Sequence, residues 1–282
     1  MSKLSKISRQ VKSVIFHKAP SLSDQVKHAR EQLFLSRKRL AAMEAQLAIT
    51  QAGRSPRYPI EFRSQFGEDL WIWDIFNGQT EGFFIELGAF DGYDFSVTYA
   101  LEAMGWNGLL IEALPGPFAK CRERRRHSRV ENVALGRRGA TGTVKFVRVE
   151  DHHGGMFSYA DVPTKHAERV TNFKKHTIDA KLTWMDNLLA DHTGPIDVVS
   201  IDVEGGELDV LHGFDLEKYR PRVLLIEDVQ LGSDPALADY MATKPYVLAG
   251  WVSVNRCYVQ KDETTLLHNC AADSNHRRRQ SE

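Results

Sequence analysis

Two stretches of the chain place an apolar run directly before a glycine-containing turn and a helix-like segment. The first is FFIELGAFDG at residues 83–92, where one acid interrupts the apolar and β-branched positions. The second is IDVVSIDVEGGE at residues 196–207, where acids and two glycines follow the apolar run. Apolar runs of this kind are typical of strands buried in a parallel sheet. Each stretch is therefore predicted to form a strand, a tight turn and the start of a helix.

Other segments supply the neighbouring strands. GLLIEAL at residues 108–114 follows the first strand at the distance of a strand–helix–strand unit, and residues 130–135 form a short third strand. Residues 222–226 repeat the apolar pattern, and residues 246–260 are predicted to close the sheet as an antiparallel pair. This alternation predicts an α/β domain, a Rossmann-like sheet with helices on both faces. Residues 115–127 are predicted to be one of these helices, and its arginines are expected in solvent: Arg122, Arg124, Arg125 and Arg126.

The N-terminal region has a different character. Residues 1–20 are basic and poor in apolar groups, and a helix is predicted from Ser21 to about Ala52. Its apolar positions recur every seven residues, at Val26, Leu33, Leu40 and Leu47. The pattern predicts an amphipathic helix that packs on its own domain or on a partner protomer, with a short coiled coil as the alternative. Its basic side chains make an anionic membrane surface another candidate partner, whereas no nucleic acid is expected.

Length, charge and cysteine content limit the classes of protein to which the chain can belong. The 282 residues suffice for one α/β domain with an extension, and 42% of them are hydrophobic. The zero net charge is unevenly distributed, because residues 1–54 carry eleven Lys/Arg against three Asp/Glu. Three scattered cysteines indicate no disulfide framework, and neither a membrane span nor a signal peptide is evident, so a cytoplasmic location is expected. The predicted domains are a helical extension at 1–55, the Rossmann-like domain at 56–268 and a disordered tail at 269–282.

The first glycine turn indicates which ligand this sheet binds. Gly88 and Gly92 would let a ligand approach the main chain, as nucleotide-like ligands do at the carboxyl ends of such strands. A dinucleotide needs GxGxxG before a helix, whereas Glu86 and Asp91 would repel its diphosphate. Those acids favour the cationic S-adenosylmethionine instead. Glu112, 24 residues beyond Gly88, is placed to accept two hydrogen bonds from a ribose diol.

Six pieces in order resemble the FkbM family of S-adenosylmethionine-dependent methyltransferases. They are SQFGEDLWI, the run FFIELGAFDGYDFSVTYALEAMGWNGLLIEALPGPF, ENVAL, TWMDNLL, IDVVSIDVEGGELDVLHGFD and RPRVLLIE, and together they cover most of residues 64–260. The resemblance implies a Rossmann-like sheet, S-adenosylmethionine as the donor, and O-methylation of a hydroxyl on a sugar or a small natural product. This chain departs from the commoner form in having Glu86 where an aspartate is usual.

The resemblance also implies roles for individual residues. Glu86, Gly88 and Asp91 would lie along the methionine half of the donor. Glu112 would hold the ribose, and the stretch containing Asn132 and Ala134 would pass beside the adenine. Gln65 and Glu68 would cover the donor from the side.

Methyl transfer to a hydroxyl requires removal of its proton. Asp202 is expected to face both the donor and the acceptor, and Glu227 to converge on the same point from the next strand. Glu204 is either an orienting group or the cap of the following helix. His153 is a second candidate base, in a loop at residues 151–160 that is expected to set acceptor specificity.

A metal site is not predicted. Asp202, Glu227 and Asp228 resemble the carboxylates that hold magnesium in catechol-type O-methyltransferases, and oxygen ligands suit that ion. The FkbM resemblance itself, however, implies no metal.

The sequence therefore predicts an O-methyltransferase acting on a glycan or small molecule, with a role in polysaccharide biosynthesis. N- and C-methylation remain open, because the donor motifs are shared. The alternative is a non-catalytic S-adenosylmethionine-binding scaffold that docks onto a glycan-assembly complex through the N-terminal helix. A dehydrogenase is disfavoured by the missing GxGxxG.

Overall fold

The structure is a computed structural model that describes residues 21–150, 158–160 and 171–281, with side chains described as far as residue 272. The chain divides into two units, residues 1–40 and 41–282. Among the described helices, none combines the length and apolar character that a membrane crossing demands. The helices are α1 (Leu22–Gln51), α2 (Glu68–Ile75), α3 (Tyr99–Met104), α4 (Pro115–Arg124), α5 (Met185–Leu188), α6 (Glu207–His212), α7 (Ala236–Ala242) and α8 (Thr264–Ser281).

Helix α1 begins where the sequence predicts it. The Ser21 hydroxyl accepts a hydrogen bond from the Asp24 backbone N–H at 3.1 Å, and the Asp24 carboxylate accepts one from the Ser21 N–H at 3.0 Å. This reciprocal pair satisfies two donors at the helix start that have no partner within the helix.

In the part of the chain that the structure describes, eleven strands form two sheets. The larger sheet has the order β10-β11-β9-β8-β1-β2-β3, in which all pairings are parallel except those of β11. This confirms the predicted Rossmann-like sheet and its closing antiparallel pair. The strands are β1 (Phe83–Leu87), β2 (Asn107–Ile111), β3 (Arg129–Glu131), β4 (Ala134–Leu135), β5 (Gly142–Val149), β6 (Tyr159–Ala160), β7 (Lys175–Thr183), β8 (Val198–Ile201), β9 (Val223–Glu227), β10 (Tyr246–Val252) and β11 (Asn255–Gln260).

The register of the central strands positions the site. Leu87 at the end of β1 pairs with Ile111 of β2 and with Ile201 of β8. Ile201 pairs in turn with Ile226 of β9. The residues that follow these positions therefore emerge side by side at one edge of the sheet: Gly88, Glu112, Asp202 and Glu227.

The second sheet has the order β4-β7-β5-β6. The sequence predicts an added strand at residues 143–149 and only a short extended piece near residue 177, whereas β5 and β7 pair over eight residues each. On one face Val147, Val149 and Tyr159 are buried together, and Phe173 packs against them. This small core explains why the strands form, and it joins segments too distant in sequence for the pattern alone to pair them.

The predicted disordered tail is helical in the structure. Helix α8 spans Thr264–Ser281, and the tail was predicted to begin at residue 269. Leu266 and Cys270 are buried, and the Asn269 amide donates a hydrogen bond to the Ile75 carbonyl at 2.7 Å. Two apolar anchors four residues apart explain why the first turns of this helix form.

Candidate active site

A cavity of about 210 Å³ opens at the edge where the central strands end. Seven carboxylates are among the described residues that line it, and none of those lining residues is a lysine, an arginine or a histidine. The titratable side chains of the described lining are therefore all acidic. The acidic residues are Glu68, Glu86, Asp94, Glu112, Asp202, Glu204 and Glu227.

At Gly88 the main chain that follows β1 lies against the main chain that follows β8. Its φ of 76° lies in the left-handed region, and a Cβ at this position would lie 1.9 Å from the carbonyl oxygen of Asp202. No side chain fits there, so glycine is required both by the backbone conformation and by the neighbouring main chain. The backbone N–H of Gly88 donates to the Ile111 carbonyl at 3.0 Å, which ties the turn to β2.

Glu112 lies at the end of β2 and lines the cavity. Its carboxylate is buried and accepts hydrogen bonds from the backbone N–H groups of Phe90 at 2.8 Å and Leu114 at 2.7 Å. Burial raises the pKa of Glu112 to about 7 in spite of these donors. Its position after the second strand agrees with the predicted ribose contact, which stays a prediction.

Glu86 faces a cavity-lining segment of the chain. Its carboxylate accepts hydrogen bonds from the Val97 N–H at 2.8 Å, from the Ser96 hydroxyl at 2.9 Å and from the Thr98 hydroxyl. These bonds hold residues 96–98 against β1. Glu86 thus shapes the wall of the cavity, and its predicted contact with the methionine half of the donor stays a prediction.

Arg125 corrects the prediction of a solvated arginine face. It is fully buried, and its guanidinium donates to the Glu102 carboxylate at 2.9 Å. It also donates to the carbonyls of Gly92 and Thr98, each at 3.1 Å. These bonds stabilise the segment from residue 92 to residue 98, which includes the residues that Glu86 bonds. Four arginines within residues 122–126 predict a solvent-exposed helix face, but Arg125 follows the last turn of α4 and is buried.

Two predicted donor-binding residues have other roles in the structure. Asp91 accepts hydrogen bonds from the N–H groups of Tyr93 at 3.0 Å and Asp94 at 2.9 Å, and it forms an ion pair with Arg124. The Asn132 amide donates to the carbonyls of Glu112 at 2.8 Å and Ala113 at 3.0 Å. Neither side chain lines the cavity. They stabilise the turns beside it, and only Ala134 of the predicted adenine stretch is part of the lining.

Gln65 and Glu68 of the SQFGED piece line the cavity, and their predicted contact with the donor stays a prediction. Glu68 is buried at the start of α2, where its carboxylate accepts hydrogen bonds from the Phe66 N–H at 3.0 Å and the Asn255 amide at 2.8 Å. Burial raises the pKa of Glu68. Asn255, at the start of β11, was not predicted as a site residue, since nothing in its sequence context indicates that β11 reaches the cavity.

The structure brings together three of the predicted catalytic residues. One carboxylate oxygen each from Asp202, Glu204 and Glu227 lie within 4.8 Å of one another. The side chain of Asp202 can be reached from the cavity, but protein surrounds it on its other sides. This desolvation, together with the charges of Glu227 and Glu204, raises the pKa of Asp202 well above the ordinary value. A carboxylate with a raised pKa is a stronger base at neutral pH.

Glu207 ties together the turn that precedes α6, and the role of Glu204 as an orienting group or as the cap of that helix stays a prediction. The Glu207 carboxylate accepts hydrogen bonds from the N–H groups of Val203 at 3.2 Å and Gly205 at 3.0 Å. Glu204 itself has a φ of 55°, which is strained for a residue with a Cβ, and its side chain is part of the cavity lining.

Asp228 is separated from this acidic cluster by its own ion pair. Its carboxylate accepts a hydrogen bond from Nε of Arg256 at 2.7 Å, lies 2.6 Å from Nη2 of the same guanidinium, and accepts two hydrogen bonds from backbone N–H groups. Asp228 is therefore not brought together with Asp202 and Glu227 as the magnesium-binding carboxylates of catechol-type O-methyltransferases would be. Oxygen donors of the kind magnesium prefers come instead from Asp202, Glu204 and Glu227.

Of the predicted specificity loop, His153 lies outside the described residues. The described end of that loop does reach the cavity, because Ser158 and Ala160 line it together with Phe146 of β5. The second sheet thus contributes one wall of the site.

A Rossmann-like sheet with a glycine turn and an acid-lined cavity at its carboxyl edge agrees with the class I methyltransferase fold that the sequence indicates. The profile of the methyltransferase FkbM domain matches residues 86–243. That is more than half of the chain, so the chain belongs to the FkbM methyltransferase family.

Among curated proteins no match is found. One similar solved structure is the METTL16 methyltransferase domain, with 14% sequence identity over 67% of this chain and 64% of that domain and a TM-score of 0.38. Another is the human methyltransferase 10 domain containing protein, with 14% identity over 80% of this chain and 96% of that one and a TM-score of 0.37. The chain spans just under two thirds of the METTL16 domain.

The cavity fits S-adenosylmethionine, the cofactor that the family implies. The main chain at Gly88 is part of the cavity lining, and Glu112 offers a buried acceptor at the adjacent strand end. Apolar side chains of Leu114, Val133 and Leu135 line the part of the cavity next to it. A cationic sulfonium is favoured by a lining whose described charges are all negative.

Donor binding is expected to depend on pH through Glu112. Only the ionised carboxylate accepts both hydroxyl hydrogen bonds of a ribose, and its pKa is about 7. Calorimetric titration should show the affinity for S-adenosylhomocysteine rising about tenfold between pH 6 and pH 8. The stability of the protein without ligand should change in the opposite direction. Because the pKa of Glu112 is raised on folding, its contribution to the free energy of unfolding should fall as pH rises from 4.5 through 7.

Glu112→Gln should remove the pH dependence of binding, reduce the fall in the free energy of unfolding, and weaken binding by about 10- to 100-fold. Glu131→Gln, on the neighbouring strand β3 and outside the cavity lining, is the matched control and should keep the wild-type profile. An unchanged affinity for Glu112→Gln would contradict the ribose assignment.

Proposed function

We propose that this methyltransferase transfers the methyl group of S-adenosylmethionine to a hydroxyl of a neutral, polyhydroxylated acceptor, such as a sugar residue of a glycoconjugate or a sugar-like natural product. The observation that supports it is the charge of the cavity, whose described lining has seven carboxylates and no cationic side chain. Carboxylates accept hydrogen bonds from hydroxyl groups and repel phosphorylated or carboxylated acceptors. A place in cytoplasmic polysaccharide assembly stays a prediction from the sequence.

The chain's own residues would perform three tasks. The turn at Gly88 and the carboxylate of Glu112 would orient the donor, and the walls supplied by Phe66 and Phe146 would exclude water from the reacting atoms. When bound, S-adenosylmethionine supplies a methyl group that its sulfonium activates for in-line displacement. Asp202 would accept the hydroxyl proton, and Glu227 and Glu204 would keep it basic through their charge.

Asp202→Asn is expected to lower kcat at least about 100-fold, because an amide cannot accept the proton. The dissociation constant for S-adenosylhomocysteine should change only a few-fold. The measurement is release of S-adenosylhomocysteine with a panel of neutral, amino- and phosphate-bearing glycosides, with and without magnesium. Asp209→Asn, in α6 and paired with Arg137 outside the cavity, is the matched control and should retain full activity.

The same assay separates the enzyme from a scaffold. Turnover of neutral glycosides, with phosphorylated ones inert, would support the proposal. Transfer confined to anionic acceptors would contradict it, and donor binding without turnover over the whole panel would favour the non-catalytic scaffold. Undiminished turnover by the Asp202→Asn variant would show that Asp202 is not the base.

A further inference from the structure

Two phenylalanines of the cavity lining leave a large part of their rings exposed. Phe66 is 41% exposed and Phe95 is 37% exposed. The other two phenylalanines of the described lining, Phe90 and Phe146, are half-buried. Among the large apolar side chains that are exposed in the described residues, one more is aromatic, Trp251, and it lies outside the lining. A large apolar group left in water at a cavity indicates a surface that a ligand covers.

Phe66 and Phe95, the phenylalanine pair, belong to neighbouring segments of the chain. Ser64 and Phe95 form an isolated parallel β-bridge, and the Arg63 guanidinium donates a hydrogen bond to the Asp94 carboxylate at 3.2 Å. Phe95 itself has a φ of 62°, which is strained for a bulky side chain. Strained residues of this kind cluster at ligand sites, so the conformation of Phe95 favours a binding role for its exposed ring.

Hydrogen bonds tie Phe66 to the strand end that carries Glu227. Asn255 pairs with Glu227 in the sheet, and its amide donates to the Glu68 carboxylate at 2.8 Å. The same carboxylate accepts a hydrogen bond from the Phe66 N–H at 3.0 Å. Phe66 therefore adjoins the β9 side of the cavity.

The strand order separates the two ends of the cavity. The sheet runs β9, β8, β1, β2, and the ends of these strands present, in that order, Glu227, Asp202, Gly88 and Glu112. The proposed donor contacts, Gly88 and Glu112, occupy one end of this row. An in-line displacement places the acceptor across the methyl group from the donor sulfur, so the acceptor enters beside Asp202 and Glu227. That is the end to which Phe66 is tied.

Carboxylates next to an exposed aromatic ring match the two surfaces of a sugar ring. A pyranose has hydroxyl groups around its rim and apolar C–H groups on its face. Carboxylates accept hydrogen bonds from the hydroxyls, and both apolar surfaces leave water when the C–H face stacks on a phenyl ring. A linear polyol has the same hydroxyl groups but no such face.

We infer that the phenylalanine pair is the platform on which the acceptor stacks, and that the acceptor is a pyranose ring whose C–H face covers Phe66 and Phe95. The pair thereby determines specificity for cyclic over linear polyols. This assignment rests on the proposed function, which it narrows from a neutral polyhydroxylated acceptor to a six-membered sugar ring.

The test compares acceptor binding by the wild type, Phe66→Ala, Phe95→Ala and Phe66→Tyr. Calorimetric titration of methyl hexopyranosides into the S-adenosylhomocysteine complex measures acceptor affinity without turnover. Each alanine variant should weaken this affinity and raise the acceptor KM at least about tenfold, with a smaller effect on kcat, because apolar contact is lost. Phe66→Tyr keeps the ring and should bind within about threefold of the wild type.

Trp251→Ala is the matched control, because Trp251 is 39% exposed but does not line the cavity, and this variant should bind the glycosides as the wild type does. The affinity for S-adenosylhomocysteine should change less than about threefold in every variant. Sorbitol, a linear polyol, should bind at least about tenfold more weakly than the glycosides. A further measurement needs no variant: on binding, the ring C–H protons of the glycoside should shift upfield in NMR spectra, as they do over an aromatic face.

The outcomes separate this assignment from the proposed function. If the wild type methylates the glycosides but either alanine variant binds them with unchanged affinity, the platform is contradicted and the proposed function stands. The platform is equally contradicted if Phe66→Ala loses affinity for S-adenosylhomocysteine to the same extent, since the ring then belongs to the donor site, or if the glycoside protons do not shift. A wild type that neither binds nor methylates any neutral sugar overturns the proposed function and the platform together.

Discussion

Arg125→Met is expected to lower the free energy of unfolding by about 3–5 kcal/mol, the usual cost of removing one partner from a buried ion pair. The substitution leaves the Glu102 carboxylate, which is fully buried, without its cation, and it removes the nearby charge that Glu86 has at 3.7 Å. It also frees the carbonyls of Gly92 and Thr98. Urea unfolding followed by tryptophan fluorescence measures the change.

The adjacent arginine provides the control. Arg126 is exposed and its side chain bonds only the Glu123 carbonyl, at 2.9 Å, so Arg126→Met should change the free energy of unfolding by no more than about 0.5 kcal/mol. Equal effects of the two substitutions would show that the buried guanidinium does not stabilise the site. Because Arg125 holds the segment whose residues Ser96 and Val97 line the cavity, weaker binding of S-adenosylhomocysteine should accompany the loss.

Gly88→Ala is expected to weaken binding of S-adenosylhomocysteine at least about 100-fold. The added methyl would lie 1.9 Å from the Asp202 carbonyl, so β1 and β8 must separate at the edge that carries the cavity. The φ of 76° adds strain, since alanine disfavours the left-handed region. Calorimetric titration reads the affinity, and thermal unfolding of the same sample reports how far the fold tolerates the change.

Gly116→Ala is the matched substitution at a glycine without these constraints. Gly116 lies in the first turn of α4, and no heavy atom would lie within 4 Å of an added Cβ. This variant should bind as the wild type does and be equally or slightly more stable, because alanine is the better helix former. Wild-type affinity in a folded Gly88→Ala protein would contradict the assigned close approach.

Much of the site was predictable because it follows from the ends of strands. Apolar runs identify buried parallel strands, and the residue after such a strand must emerge at the carboxyl edge of the sheet. For that reason Gly88, Glu112, Asp202 and Glu227 meet at one cavity, although they are spread over 140 residues of sequence. The heptad of α1 was equally readable, since a helix repeats its faces at fixed intervals.

The roles of several polar side chains required the tertiary structure. Asp91 and Asn132 stand in motif positions, yet their side chains bond neighbouring turns, and Glu207 bonds the turn that precedes α6. A side chain's partners depend on loops that approach from elsewhere, which local periodicity does not record. The same holds for the pairing of β5 with β7 and for the contribution of Asn255 to the cavity.

The sequence by itself determined the fold class, the family and the sheet edge at which the donor site lies, because strand burial and glycine turns are local properties of the chain. Only the tertiary structure decided that Arg125 is a buried cation and that Asp228 belongs to Arg256 rather than to the acidic cluster. Burial and charge pairing arise from segments that are distant in sequence, so their energetic consequences become visible only after the chain has folded.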